Sequence, residues 1–155
     1  MQWVRIDNRL VHGQIIETWL PYTHAKYLLV ANDETAEDSL QQQIMSLAIP
    51  QSVNCIFTRV DAVSEAVAKL DSSSENSSYL IIFSSCNDVK RALDKGLSFD
   101  ALNIGNIHYS PGKKQISPSV ALNSEEESCL RYFVNIGIEL DFRCVPNDPV
   151  QVRFS

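Results

Sequence analysis

Along this chain, short continuous apolar runs alternate with stretches in which apolar residues recur every three or four positions. Runs of about five apolar residues read as strands covered on both faces, and the wider spacing reads as amphipathic helix. Gln2 to Ile6 is predicted as a first strand, followed by a polar segment, Asp7 to Gly13. A short helix from Gln14 to Leu20 comes next, stopped by Pro21. Tyr27 to Ala31 is the second strand. Asp33 is read as the cap of a helix from Glu34 to Leu47, with Leu40, Ile44 and Leu47 on one face and Pro50 beyond its end. Val53 to Thr58 is the third strand, and Asp61 caps a helix carrying Val63, Ala66, Val67 and Leu70.

The serine-rich stretch Ser72 to Ser78 reads as a solvated loop, with a phosphorylation tract as the other reading. Tyr79 to Phe83 is the fourth strand, after which a helix starts at Asn87 or Asp88 and ends at Gly96. Ala101 to Ile104 forms a fifth strand, followed by the loop Gly105 to Lys114 and an extended piece from Ile116 to Val120. Ser124 with Glu127 suggests a capping box for a helix reaching about Asn135, ended by Gly137. Ile138 to Val145 alternates like a strand, and residues 150 to 154 suggest a short edge strand. Strands separated by helices predict an α/β fold, an open, mostly parallel twisted sheet with helices on both faces and antiparallel strands near the C-terminus. Ligands of such sheets bind beyond the carboxyl ends of the strands, which directs attention to the loops 7–13, 32–33, 84–88 and 105–114.

The 155 residues fit one domain spanning 1–155. A net charge of -6 argues against a nucleic-acid partner, because phosphate neutralisation needs a concentrated basic surface. Arg5, Asp7 and Arg9 interrupt the amino terminus where a signal peptide would be apolar, and no apolar run approaches the roughly 18 residues of a membrane span. A cytoplasmic location is expected, with Cys55, Cys86, Cys129 and Cys144 as free thiols. Their scatter does not match zinc spacing, and no G-x-G-x-x-G or Walker loop is present.

The first loop is the densest chemistry, setting Arg5, Asp7, Arg9 and His12 beside Gly13. Each part suits a phosphate carrier. Imidazole is a nucleophile through its unprotonated nitrogen. Arg9 can present a planar fork of donors to phosphate oxygens, and free amides after His12 add a second anion contact. Asp7 can orient the ring or hold Arg9. Arg5, Gly13, Ser84 and Ser85 are expected at the phosphate, and Leu10 and Val11 on an exposed partner surface. The residues alone also allow a surface salt-bridge set with an ordinary loop histidine, or a metal held by His12. A catalytic Cys86 competes with a buried structural thiol, and His108 is either a site residue or a loop histidine. Lys113 and Lys114 either attract a phosphate-bearing partner or stand solvated, and His24 reads as an incidental surface residue.

The string RIDNRLVHGQI, residues 5–15, closely resembles the signature of the IIB components of the mannose/fructose/sorbose family of the bacterial phosphoenolpyruvate-dependent sugar phosphotransferase system. That signature reads roughly R-I-D-x-R-L-I/V-H-G-Q-V/I. Trp19, Val30-Ala31-Asn32-Asp33, Ala48-Ile49-Pro50, Leu102-Asn103-Ile104-Gly105, Gly112-Lys113-Lys114-Gln115-Ile116 and Gly137-Ile138-Glu139-Leu140 resemble later family motifs in order. Asn106, where many relatives carry a second Gly, and the end VPNDPVQVRFS depart from the pattern.

The resemblance implies a phosphotransferase subunit. His12 would accept a phosphoryl group on Nδ1 from a phosphohistidine of IIA and pass it to a sugar held by the membrane components IIC and IID, with Asp7 and Arg9 in support. No metal or other cofactor is implied, because phosphohistidine is already a reactive donor. A homodimer stays open. A regulatory phosphohistidine module of the same fold is the alternative, and a thiol enzyme built on Cys86 is a third reading.

Overall fold

The computed structural model describes residues 1–73 and 78–149. Eight strands are present among them: β1 (Gln2–Asp7), β2 (Tyr27–Ala31), β3 (Asn54–Thr58), β4 (Tyr79–Phe83), β5 (Ala101–Asn106), β6 (Lys114–Ser117), β7 (Val120–Leu122) and β8 (Glu139–Asp141). Six of them form one sheet in the order β3-β2-β4-β1-β5-β8, and every neighbouring pair is parallel. The remaining two, β6 and β7, make a small antiparallel sheet, joined to the end of β5 by an Ile107–Val120 bridge. The antiparallel pairing expected near the C-terminus is therefore at 114–122, and β8 itself runs parallel to β5.

Period-two alternation in the strands feeds two cores. On one face Leu28, Val30, Leu80 and Ile82 pack with Ile15, Trp19, Leu20 and Met45. On the other, Val4, Ile6, Leu29, Ile81, Phe83, Leu102 and Ile104 pack against α4 (Val63–Ser73), α5 (Cys86–Asp94) and α6 (Ser124–Asn135). β1 is divided accordingly. Val4 and Ile6 enter the second core, so Trp3, Arg5 and Asp7 point to the first. The connection after β1 crosses one face of the sheet and that after β4 crosses the other. Their adjacent carboxyl ends are the switch point at which such folds bind ligands.

Several helix boundaries differ from expectation. Pro21 does not stop the first helix. A π-helical turn, Ile15–Trp19, runs into α1 (Leu20–Thr23), and the wide turn accommodates a proline that lacks an N–H. The helix expected from Glu34 to Leu47 is two: α2 (Asp33–Ala36), capped by Asn32, and α3 (Ser39–Ala48), capped by Asp38. Asp33 caps neither, because its carboxylate accepts the Val60 N–H and binds Arg91. Asp61 lies within a 3-10 turn, Val60–Ala62, that leads into α4. α5 begins at Cys86 with Ser85 as its cap. The capping box of α6 is Asn123 with Glu126, one residue earlier than expected. The last strand is only Glu139–Asp141. Most of the serine-rich loop and the edge strand at 150–154 lie outside the described residues.

Candidate phosphoryl-accepting site

The site is built on the carboxyl end of β1. The Arg5 guanidinium lies over the Trp19 ring at 5.1 Å and is 1% exposed. Burying a guanidinium is costly unless its charge is paired, and here the two terminal nitrogens carry the pairing while Nε has no hydrogen-bond partner among the described residues. Nη2 donates to Asp7 Oδ2 at 2.9 Å, and Nη1 donates to Asn103 Oδ1 at 2.6 Å. Asn103 stands opposite Arg5 in the β1–β5 register, and Asp141 stands opposite Asn103 in β8. Its Nδ2 donates to the carbonyls of Arg143 and Asp141 at 2.9 and 3.2 Å. A polar row thus crosses three strands beneath the loop.

Asp7, fully buried, gathers the loop above it. His12 Nε2 lies 2.8 Å from Asp7 Oδ2. Oδ1 accepts the Arg9 backbone N–H at 3.0 Å and Arg9 Nε at 3.4 Å. Burial alone would raise the Asp7 carboxyl. The hydrogen bond from His12, the Arg5 charge and the Arg9 amide outweigh it and hold the group below the usual carboxylate range. With Asp7 ionised, the shared hydrogen lies on His12 Nε2, and no described residue hydrogen-bonds Nδ1. The loop turns through Leu10, a non-glycine residue at φ 58°, whose N–H returns to Asp7 O at 3.0 Å. Such a conformation costs on the order of 1 kcal/mol. Burial of the Leu10 side chain against the first core holds it in place.

His12 stands over a groove of about 420 Å³ lined by Val11, Gly13, Ile16, Glu17 and four residues of α3. Arg9 is 42% exposed and its Nη2 donates to Gln14 Oε1 at 3.0 Å. Ile16 N–H bonds the His12 carbonyl, so the amides just after His12 open the helical segment without intrahelical partners. A Cβ at Gly13 would meet nothing within 4 Å, which leaves the space over these amides clear.

The structure thus brings together His12, Asp7, Arg9 and Gly13, with Asp7 in contact with both the ring and Arg9. Arg5 needs correction. It is buried and engaged with Asp7 and Asn103, so it positions the carboxylate and does not present donors to a phosphate. Ser84 and Ser85 lie at the end of β4, next to β1. Ser84 Oγ bonds Asp88 and Asn32, and Ser85 caps α5, so neither is hydrogen-bonded to the His12 loop. Leu10 is buried, which removes it from any partner surface, while Val11 is half-buried beside the groove. His108 does reach the loop through Asn8, Nδ2 to Nδ1, at 2.7 Å. Lys113 is paired with Glu126 at 3.2 Å. Cys86 is buried, and burial first, then Cys129 and Glu126, push its thiol far up, which disfavours the thiolate a nucleophile needs.

Asn103, Gly105 and Gln14 were assigned no role from the sequence. Gly105 has a clear one: a Cβ there would lie 1.9 Å from Arg5 Cζ, so only glycine leaves room for the guanidinium. The signal was present as alternation, since Leu102 and Ile104 face one core and Asn103 and Gly105 the other.

The chain is an open parallel α/β sheet with a histidine braced by a buried acid at its switch point, and sequence comparison fixes the family. The model of the PTS system sorbose subfamily IIB component matches residues 1–152, and the chain belongs to this family. It is 29% identical, over 97% of its length and 94% of the relative's, to the N-acetylgalactosamine-specific phosphotransferase enzyme IIB component 2 of Escherichia coli K12. The mannose-specific EIIAB component of that organism is 29% identical over 94% of this chain and 44% of its own length. The crystal structure of the N-acetylgalactosamine-specific IIB component 1 from Escherichia coli superposes with a TM-score of 0.87 at 30% identity, covering 95% of each chain. The protein is therefore a phosphotransferase-system IIB component, and phosphoryl transfer in sugar uptake is the task of that family. Among the described residues no helix is long and apolar enough to cross a membrane.

Proposed function

We propose that the chain acts as one cytoplasmic phosphocarrier domain, taking a phosphoryl group from phosphorylated IIA onto His12 Nδ1 and giving it to a sugar held by IIC and IID. The observation that carries this reading is the 2.8 Å contact between His12 Nε2 and the buried Asp7 carboxylate. It commits Nε2 to donating and leaves the Nδ1 lone pair, which no described residue hydrogen-bonds, as the nucleophile. The EIIAB name of the mannose-specific relative supports a IIA protein as donor.

In the first step Nδ1 attacks the phosphorus of the donor phosphohistidine in line with its leaving nitrogen. The N–P bond to the donor breaks as the bond to His12 forms. Charge on the moving group spreads over its equatorial oxygens, where Arg9 and the amides after His12 offer fixed donors. In the second step a sugar hydroxyl oxygen bonds the phosphorus as the Nδ1–P bond breaks, and the hydroxyl proton passes to solvent, which returns His12 to its neutral form. Asp7 keeps the ring oriented throughout.

Mass spectrometry after incubation with phosphoenolpyruvate and the general phosphotransferase components tests the site. A single phosphoryl group should map to His12 and vanish in His12→Ala; undiminished labelling of that variant would refute the assignment. A chase with membranes containing IIC and IID should move the label to sugar, and retention of it would point to a regulatory module.

A further inference from the structure

We infer that the outer face of α3 is the docking surface for the soluble phosphoryl donor; the inference rests on the carrier reading above and adds where the donor sits. α3, Ser39–Ala48, has one buried residue, Met45, and no charged residue in its sequence SLQQQIMSLA. Leu40, Ile44 and Leu47 follow the i, i+4, i+7 spacing that places them on one face. They are 65%, 53% and 88% exposed. A surface helix ordinarily turns its apolar stripe inward and its charges outward. Here the stripe faces solvent and the charges are missing, the composition found at the centre of protein interfaces.

The face is continuous with the reactive histidine. Gln41, Ile44, Met45 and Ala48 of α3 line the same groove as His12, Val11 and Gly13. A protein that brings its phosphohistidine into line with His12 must cover this groove, and the stripe lies directly beside it. Two other occupants fit less well. A second copy of the chain seated on α3 would close the groove over His12 and block transfer. The cytoplasmic loops of a membrane component carry excess Lys and Arg, and the stripe of Leu40, Ile44 and Leu47 offers them no carboxylate, Asp38 at the cap and Glu17 in the groove lying off it. An uncharged apolar face suits a soluble partner whose own docking surface is apolar.

The test uses the double variant Leu40→Ala/Leu47→Ala, whose positions lie outside the groove lining. Circular dichroism and thermal melting establish that it folds as the parent does. Phosphorylation is followed with purified phosphorylated IIA and, separately, with phosphoramidate, which passes its phosphoryl group to an imidazole nitrogen and releases ammonia without docking. The expected result is a KM for phosphorylated IIA raised about tenfold or more, with kcat and the phosphoramidate reaction unchanged. An unaltered KM overturns the inference. So does a normal IIA step with slowed transfer to sugar in IIC/IID membranes, which would assign the face to the membrane partner. A parent that sediments as a dimer while the variant is a monomer would assign it to a second copy. If neither donor labels His12 in the parent, the carrier reading itself fails and this inference falls with it.

Discussion

Gly105→Ala should damage both the stability and the reactivity of this domain, although residue 105 touches neither phosphate nor solvent. The added Cβ would stand 1.9 Å from Arg5 Cζ, 2.1 Å from Nη1 and 2.3 Å from Nη2. Carbon atoms in contact need about 3.5 Å, so the guanidinium would have to move roughly 1.5 Å. It has no free direction: Asn103 holds one side at 2.6 Å, Asp7 holds another at 2.9 Å, and the Trp19 ring covers it. A shift of that size takes at least one of these bonds beyond hydrogen-bonding range and leaves a buried charge without its partner. Breaking a buried pair in this way costs about 3–5 kcal/mol. At the lower figure the melting temperature of a domain this size falls by roughly 6–12 °C. The Asp7 carboxylate is pushed out of place as well, and with it His12, so labelling by phosphorylated IIA should slow by about 100-fold. Differential scanning fluorimetry and timed labelling measure the two effects. A control isolates the cause: in an Arg5→Ala background the clash is gone, so adding Gly105→Ala should cost little more. If Gly105→Ala alone melts with the parent and labels at its rate, or if the two substitutions add in full, the buried guanidinium does not hold the site.

Three further outcomes follow from the same geometry. Asp7→Asn must turn an N–H toward a donor whichever way its amide lies, since both carboxylate oxygens accept from donors; unfolding should show a loss of about 2–4 kcal/mol, and labelling should fall by about 100-fold or more. Because the folded Asp7 carboxyl is held below its ordinary value, its contribution is complete above about pH 4 and is lost as pH falls through the lower folded value; the urea midpoint difference between parent and Asp7→Asn should stay constant from pH 7 to 5 and shrink below 4, and a difference that shrank above pH 5 would contradict the sign. Arg9→Lys keeps the charge but loses the planar fork; the labelling rate should drop by about tenfold with melting unchanged, and an unaltered rate would remove Arg9 from the transfer step.

Much of the fold was legible because burial on both faces leaves a plain mark. Tyr27–Ala31 and Tyr79–Phe83 are unbroken apolar runs and match their strands residue for residue. Errors gathered where two signals competed. Asn32 and Asp38 are both good caps, and reading Asp33 as a single cap ran the two helices together. The spacing of Leu40, Ile44 and Leu47 implied a buried stripe, whereas Met45 and Ile49 do the packing and the stripe points outward. In the site, Asp7, Arg9 and His12 are near neighbours in sequence and their meeting was foreseeable. Arg5 departs from the expectation that a charged side chain beside an anion site faces it. What buries Arg5 comes from β5, 98 residues along the chain, and only the strand register reveals that pairing.

The buried arginine explains how one carboxylate can serve an anion site without spoiling it. An unpaired Asp7 beside His12 would repel the arriving phosphoryl group, and Arg9 alone, sharing Oδ1 with its own amide, would be spent cancelling that charge. Arg5 neutralises Asp7 from beneath, where solvent cannot weaken the pair. Arg9 then stands as surplus positive charge at the exposed rim, with Gln14 steadying its far end. The two oxygens of Asp7 divide the work: Oδ2 joins the buried cation to the imidazole, and Oδ1 fixes the backbone that carries Arg9. In the proposed transfer, orientation of the nucleophile and neutralisation of its cargo thus come from opposite ends of one residue. That arrangement requires a cation in the core, an asparagine to accept from its Nη1, and a glycine beside it.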